Sequence, residues 1–117
     1  MFSVVEASIA DLRNALINGE VTAVELVQLY LARIDQYDTP ESATKLNAIV
    51  VRNDQALAEA VESDARRAAG TLRGPLDGIP YTAKDNYMVK GLTVAAGSPA
   101  FTELVAQQDA FIIEQLR

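Results

Sequence analysis

Apolar residues recur at helical spacing in three stretches ahead of residue 70. In SIADLRNALINGE, residues 8–20, Ile9, Leu12 and Leu16 share one face, Ser8 and Asp11 have the spacing of a capping box, and Gly19 is placed to end the helix. The pattern predicts a helix near 8–18. VTAVEL, residues 21–26, marks a second start: Thr22 and Glu25 form another capping box, and Val21 and Leu26 stand at the two positions of a hydrophobic staple. That helix is expected over 22–37, with Leu26, Tyr30 and Tyr37 on one stripe and Val27, Leu31 and Ile34 beside it. So wide an apolar band calls for more packing surface than the first helix provides, a first hint that the chain is not the whole structure.

After the polar loop DTPESAT, the β-branched run LNAIVV predicts a strand near 46–51. Asn53 or Asp54 is then placed to cap a third helix over 53–69, whose apolar stripe is Leu57, Val61, Ala65 and Ala68 and whose stop is Gly70. Glu62 and Arg66, four apart, add an exposed pair worth a few tenths of a kcal/mol, about 0.3–0.5. From Gly70 to Pro99 the chain holds five of its six glycines and three of its four prolines, so loops dominate. Within that stretch IPYTAK predicts a strand near 79–84, with Pro80 restricting it to an entry or edge position. Helical spacing resumes at 99–117 and runs to Arg117 with no stop signal, so the pattern ends in mid-helix. No repeat or low-complexity tract divides the 117 residues, which suit one domain or a piece of one.

Composition narrows the chemistry. A formal charge of -6 opposes contact with nucleic-acid backbones and anionic lipid surfaces. No apolar run reaches the roughly 18–20 residues of a membrane span, and MFSVVEAS lacks the basic and apolar regions of a secretory leader, so a cytoplasmic protein is expected. Without cysteine there are no disulfides or thiolate nucleophiles, and without histidine there is neither the commonest metal ligand nor the usual base for a serine nucleophile. The acidic residues scatter over helical faces with no metal-loop spacing, so no metal or cofactor is expected.

One stretch points to a specific chemistry. GPLDGIPYTAKDNYMVKGLTVAAGSPAF, residues 74–101, resembles the catalytic-lysine region of the amidase signature enzymes, whose pattern runs approximately G-P-L-x-G-I-P-x-x-x-K-D-N-x-x-x-K-G-L-P-T-T-A-G-S. Gly74, Pro75, Leu76, Gly78, Ile79, Pro80, Lys84, Asp85, Asn86, Lys90, Gly91, Leu92, Ala96, Gly97 and Ser98 all match. The helix from Thr22 to Ile34, the run LNAIV and the alanine-rich helix ALAEAVESDARRA resemble the family's opening segments, so the similarity covers nearly the whole chain. It departs at Thr93, Val94 and Ala95, where the family commonly has proline and two hydroxyl residues, and this removes hydroxyls that would bear on substrate shape.

The resemblance implies an α/β fold, a mixed sheet surrounded by helices, of which residues 1–117 are the N-terminal fragment of a single amidase domain. It implies hydrolysis of a linear amide by a Ser, cis-Ser, Lys triad, with Lys84 as the catalytic residue. A neutral amine draws a proton from the nucleophilic serine through a bridging serine, so no histidine is needed. Lowering a lysine from about 10.4 to near 7 requires roughly 4–5 kcal/mol in favour of the neutral form, hence burial away from carboxylates. The run Ile79 to Ala83 is expected to carry Lys84 inward, while Asp85, Asn86, Lys90 and Gly91 read as turn residues and Ser98 as an N-cap followed by Pro99. The glycine- and serine-rich segment of the family has no counterpart among Ser3, Ser8, Ser42, Ser63 and Ser98, so the chain is expected to supply only the lysine. The expected partners are a small-molecule amide and the remainder of the amidase or a complementing chain, with homo-oligomerisation left open. The competing expectation is a noncatalytic truncated or split relative that serves as an assembly or binding module.

Overall fold

Both predicted capping boxes form. In the computed structural model, which describes residues 2–117, the Ser8 hydroxyl accepts the Asp11 amide and the Asp11 carboxylate accepts the Ser8 amide, opening α1 (Ile9–Ile17). Thr22 and Glu25 do the same for α2 (Ala23–Tyr37). The third helix, α3 (Ala56–Ala68), takes Gln55 as its N-cap with no side-chain cap bond, in place of Asn53 or Asp54, the two that the sequence offered. Helices α1 and α3 end alike. Gly19 and Gly70 take φ of +69° and +68°, and the amides of Glu20 and Thr71 reach back to the carbonyls of Ala15 and Arg66, the 6→1 bonds that a left-handed glycine permits.

By its contacts the chain divides into two compact units. The first comprises residues 2–49 and 54–80. Its core joins Leu12, Ala15 and Leu16 of α1, Val21, Ala23, Leu26 and Val27 at the start of α2, and Ala60 of α3. Leu26 is wholly buried, a burial that contributes about 1.5–3 kcal/mol, and Val21 beside it completes the predicted staple. Helix α3 meets α2 with an unexpected face. Ala60 and Ser63 are buried, whereas Leu57, Val61, Ala65 and Ala68 of the predicted stripe are not. The cause is polar: the Asp64 carboxylate accepts the amides of Ala23 at 2.8 Å and Val24 at 3.1 Å, two of the donors that the first turn of α2 leaves unpaired.

At the other end of α2 the buried Asp38 carboxylate accepts the amides of Ala48 and Ile49, and Leu46 donates to the Tyr37 carbonyl. These bonds fold residues 45–49 back on the helix, with Lys45 and Asn47 at positive φ. The expected strand at 46–51 therefore does not form: a left-handed residue breaks its extension, and side chain and helix end take its amides. The expected strand at 79–84 is also unformed: residues 79–84 run as irregular chain into the turn that begins at Asp85.

The second unit comprises residues 50–53 and 81–117. Residues 88–94 are laced antiparallel to 104–110: Gly91 donates to the Ala106 carbonyl, Ala106 to Leu92, Val94 to Leu104 and Ala110 to Met88, with an isolated bridge at Thr93 and Val105. This lacing replaces the helix expected over 99–117. A 3-10 turn, Pro99–Phe101, and α4 (Phe111–Leu116) are the helical parts, because between them the amides of Ala106 and Ala110 go to residues 88–92 rather than to carbonyls four residues back. Ser98 does precede the turn with Pro99 at its first position, though its hydroxyl makes no cap bond. The fold seen in these residues is thus helical, and the sheet part of the α/β expectation is not realised among them.

Candidate functional site

Lys84 lies in the second unit, directly before a turn. Its carbonyl accepts the Tyr87 amide at 2.9 Å, which closes a turn through Asp85 and Asn86, as the sequence suggested for that pair. The next carbonyl, of Asp85, accepts the amide of Ala96 at 3.1 Å, so the turn is tied to the Ala96–Gly97 corner, where both residues have positive φ. Lys90 and Gly91 form the expected second turn, and the Lys90 amide donates to the Asp109 carboxylate, which also pairs with Arg117 at 2.8 Å.

The side chain of Lys84 does not lie inside. Tyr81, Thr82, Ala83 and Lys84 are all exposed, so residues 79–83 do not carry the lysine into a core within these 117 residues. Among the described residues its side chain makes no ion pair. Three of the five serines are engaged elsewhere: Ser8 caps α1, Ser42 bridges Thr39 and Lys45, and the buried Ser63 hydroxyl donates to Asp77. No three acidic residues cluster as a metal site would require, among the described residues.

Sequence reasoning passed over the most constrained residue of the lysine motif. By sequence alone Asp77 and Gly78 read as an ordinary Asp-Gly turn. In the first unit its side chain, only 4% exposed, accepts two bonds of 2.8 Å from Nε and Nη2 of Arg66, one of 2.7 Å from Ser63 and one of 3.0 Å from the Arg73 amide. Its carbonyl accepts Nη2 of Arg67 at 2.8 Å. The Arg66 hydrogen bonds hold the Asp77 carboxyl well below the usual carboxylate range; burial opposes this, and the Arg73 amide and Ser63 hydroxyl reinforce it. The bidentate geometry commits Arg66 to Asp77, and its predicted partner Glu62 stands farther off at 3.8 Å. Gly78 follows at φ +95°, where a Cβ would stand 3.0 Å from the Ser63 Oγ. The signal available in sequence was Arg66 lying eleven residues before an acid, which no local rule reads.

Comparison with known proteins bears on the whole chain. The family profile described as Amidase matches residues 25–117. The chain is similar to a glutamyl-tRNA(Gln) amidotransferase subunit from an Azoarcus species, 40% identical over 114 residues that cover 97% of this chain and 22% of that protein. Among solved structures it is similar to the native peptide amidase of Stenotrophomonas maltophilia, with a TM-score of 0.89 and 38% identity over 96% of this chain and 22% of the other. An amidase family protein of Bacillus anthracis superposes with a TM-score of 0.87 at 32% identity, over 97% of this chain and 22% of its own. The chain thus spans little more than a fifth of the length of these relatives.

Proposed function

The chain belongs to the amidase family, and from that premise we propose that its 117 residues are the N-terminal part of a single amidase domain that hydrolyses a linear carboxamide, with Lys84 as the base of a Ser, cis-Ser, Lys triad. The observation that carries the reading is the setting of Lys84 within its motif: it sits on a turn fixed by two backbone hydrogen bonds, and its side chain makes no ion pair among the described residues. An amine in that condition becomes a base once surrounding polypeptide removes it from water. The nucleophilic and bridging serines, and the oxyanion donors, are assigned to polypeptide outside these residues, because none of the serines here stands in a glycine-rich, serine-rich segment of the family's kind. In the reaction the nucleophilic hydroxyl gives its proton to the bridging hydroxyl, which passes its own to the lysine Nζ. The serine oxygen bonds to the carbonyl carbon, the C–N bond breaks as the amine returns the proton to the departing nitrogen, and water then cleaves the acyl-serine ester to release the acid and restore the hydroxyl.

An amidated peptide, after the peptide amidase, is the first substrate to try, and glutamine is a simple primary carboxamide to set beside it. The remainder of the domain, or a complementing chain, is the partner this reading requires. Its test is Lys84→Met in the protein expressed from its complete reading frame. The expected result is a fall in kcat/KM of at least about a thousand-fold with binding of the amide retained. A variant keeping a tenth of the activity would remove Lys84 from the reaction, and an inactive wild-type protein lacking a serine-rich segment would favour the noncatalytic assembly role.

A further inference from the structure

Ala96 stands in a conformation that its side chain does not favour. Its φ is +49°, where the Cβ of an L-residue crowds its own backbone, and it has no short polar group of the kind that lets asparagine adopt this geometry. The other residues besides glycine with positive φ among those described, Glu6, Lys45 and Asn47, all lie in the first unit. Ala96 is also exposed, so its methyl gains little packing in return.

What the conformation delivers is a backbone donor. Ala96 and Gly97, at φ +49° and +74°, turn the chain sharply, and the Ser98 amide closes the corner on the Ala95 carbonyl at 2.8 Å. The turn presents the Ala96 amide to the Asp85 carbonyl at 3.1 Å, while the Lys84 carbonyl accepts the Tyr87 amide at 2.9 Å. The two carbonyls flanking the Asp85 Cα are thus both held, and with them the peptide planes through which the chain leaves Lys84. Strain at an exposed position, spent on one bond to the lysine turn, is the kind that a functional geometry sustains.

We propose that Ala96 is a positioning residue for Lys84, its left-handed conformation aiming the amide that holds the lysine turn in place. The inference rests on the amide-hydrolysis reading of Lys84 and names the device that orients it. A general base must lie within hydrogen-bond reach of the proton it takes, and a misplacement of about 1 Å costs up to about a hundred-fold in rate. Losing one of the two bonds on the turn is a smaller disturbance, with an expected fall in kcat of about three- to ten-fold.

The test uses the protein from its complete reading frame, with an amidated peptide as substrate. Ala96 is replaced by lactic acid, which keeps the methyl and puts an ester oxygen where the N–H was. The control is the same replacement at Ala106, whose amide donates to the Leu92 carbonyl at 3.0 Å and so belongs to the lacing of 88–94 with 104–110. Each ester also weakens the carbonyl before it, and those of Ala95 and Val105 both accept a bond, so the comparison is even. Both esters are expected to lose stability in urea, but only the one at Ala96 to lower kcat, with KM unchanged. Ala96→Gly, which keeps the donor and suits positive φ, is expected to keep the wild-type kcat. A merely structural bond would give the two esters the same kcat, and that result overturns the proposal. Lys84→Met, run beside them, separates the two failures: if it stays active, the amide-hydrolysis reading falls and this proposal with it. If Lys84→Met is inactive while the Ala96 ester turns over at the wild-type rate, this proposal alone falls.

Discussion

Replacing Asp77 tests whether one acid fixes the chain between α3 and the lysine segment. Asp77→Ala removes the acceptor of four hydrogen bonds and leaves the Arg66 guanidinium, whose side chain is 20% exposed, beside an empty space. Breaking a buried pair from one side costs about 3–5 kcal/mol, and the partial access of water to Arg66 lowers this to an expected 2–4 kcal/mol, roughly. Asp77→Asn keeps the shape and one acceptor oxygen but loses the charge, and is expected to cost about 2–3 kcal/mol. Glu62→Ala is the control: Glu62 is 69% exposed and 3.8 Å from Arg66, so its loss is expected to change stability by about 0.5 kcal/mol or less.

The same residue gives the acid limb of the stability curve its sign. The folded-state pKa of Asp77 is depressed by Arg66, so the folded protein releases this proton more readily than the unfolded chain does. The stabilisation is complete above the ordinary carboxylate value of about 4 and is lost as pH falls below it toward the folded value. Urea denaturation of the protein from its complete reading frame, followed from neutral pH down to about pH 3, is expected to show a steeper loss for wild type than for Asp77→Asn. Coincident acid limbs for the two, or an Asp77→Ala protein no less stable than Glu62→Ala, would refute the assignment.

Asp64→Ala deprives the first turn of α2 of the acceptor for Ala23 and Val24 and is expected to cost about 1–2 kcal/mol in the same denaturation assay, with Asp64→Asn falling between it and wild type. Gly78→Ala forces a side chain into φ +95° and against the Ser63 Oγ at 3.0 Å; a loss of about 1–3 kcal/mol is expected, partly recovered when Ser63 is also changed to alanine. The 117-residue chain by itself is expected to release no ammonia from amidated peptides or glutamine above the buffer rate, since its serines stand in no glycine-rich oxyanion loop.

Features decided within a few residues were legible in the sequence. Both capping boxes, the Val21 and Leu26 staple, the glycine stops at Gly19 and Gly70 and the turn at Asp85 and Asn86 each rest on groups no more than five residues apart, so local spacing specifies them. Features decided by distant partners were not. Asp64 bonds to amides 40 and 41 residues away, and those bonds turn α3 so that Ala60 and Ser63 face inward and the more apolar Leu57 and Val61 face out. The amides of Ala106 and Ala110 bond to residues 88–92, and that competition, invisible to a helical window, opens the predicted terminal helix.

The candidate site divides along the same line. The identity of Lys84 as the residue to examine lay in its motif, because a run of matched residues is a property of the sequence alone. Its environment did not, because desolvation depends on everything packed around an amine, and in these residues the amine meets solvent. The motif's tightly built part is instead its start. Asp77 draws together the end of α3 through Arg66 and Arg67, the loop through the Arg73 amide, and its own turn through the Gly74 carbonyl, which accepts the Asp77 amide at 3.3 Å. An anchor of this kind makes residues 73–79 rigid before any catalytic group is reached, since each bond to Asp77 restricts a different backbone segment and none can move without unpairing a buried charge.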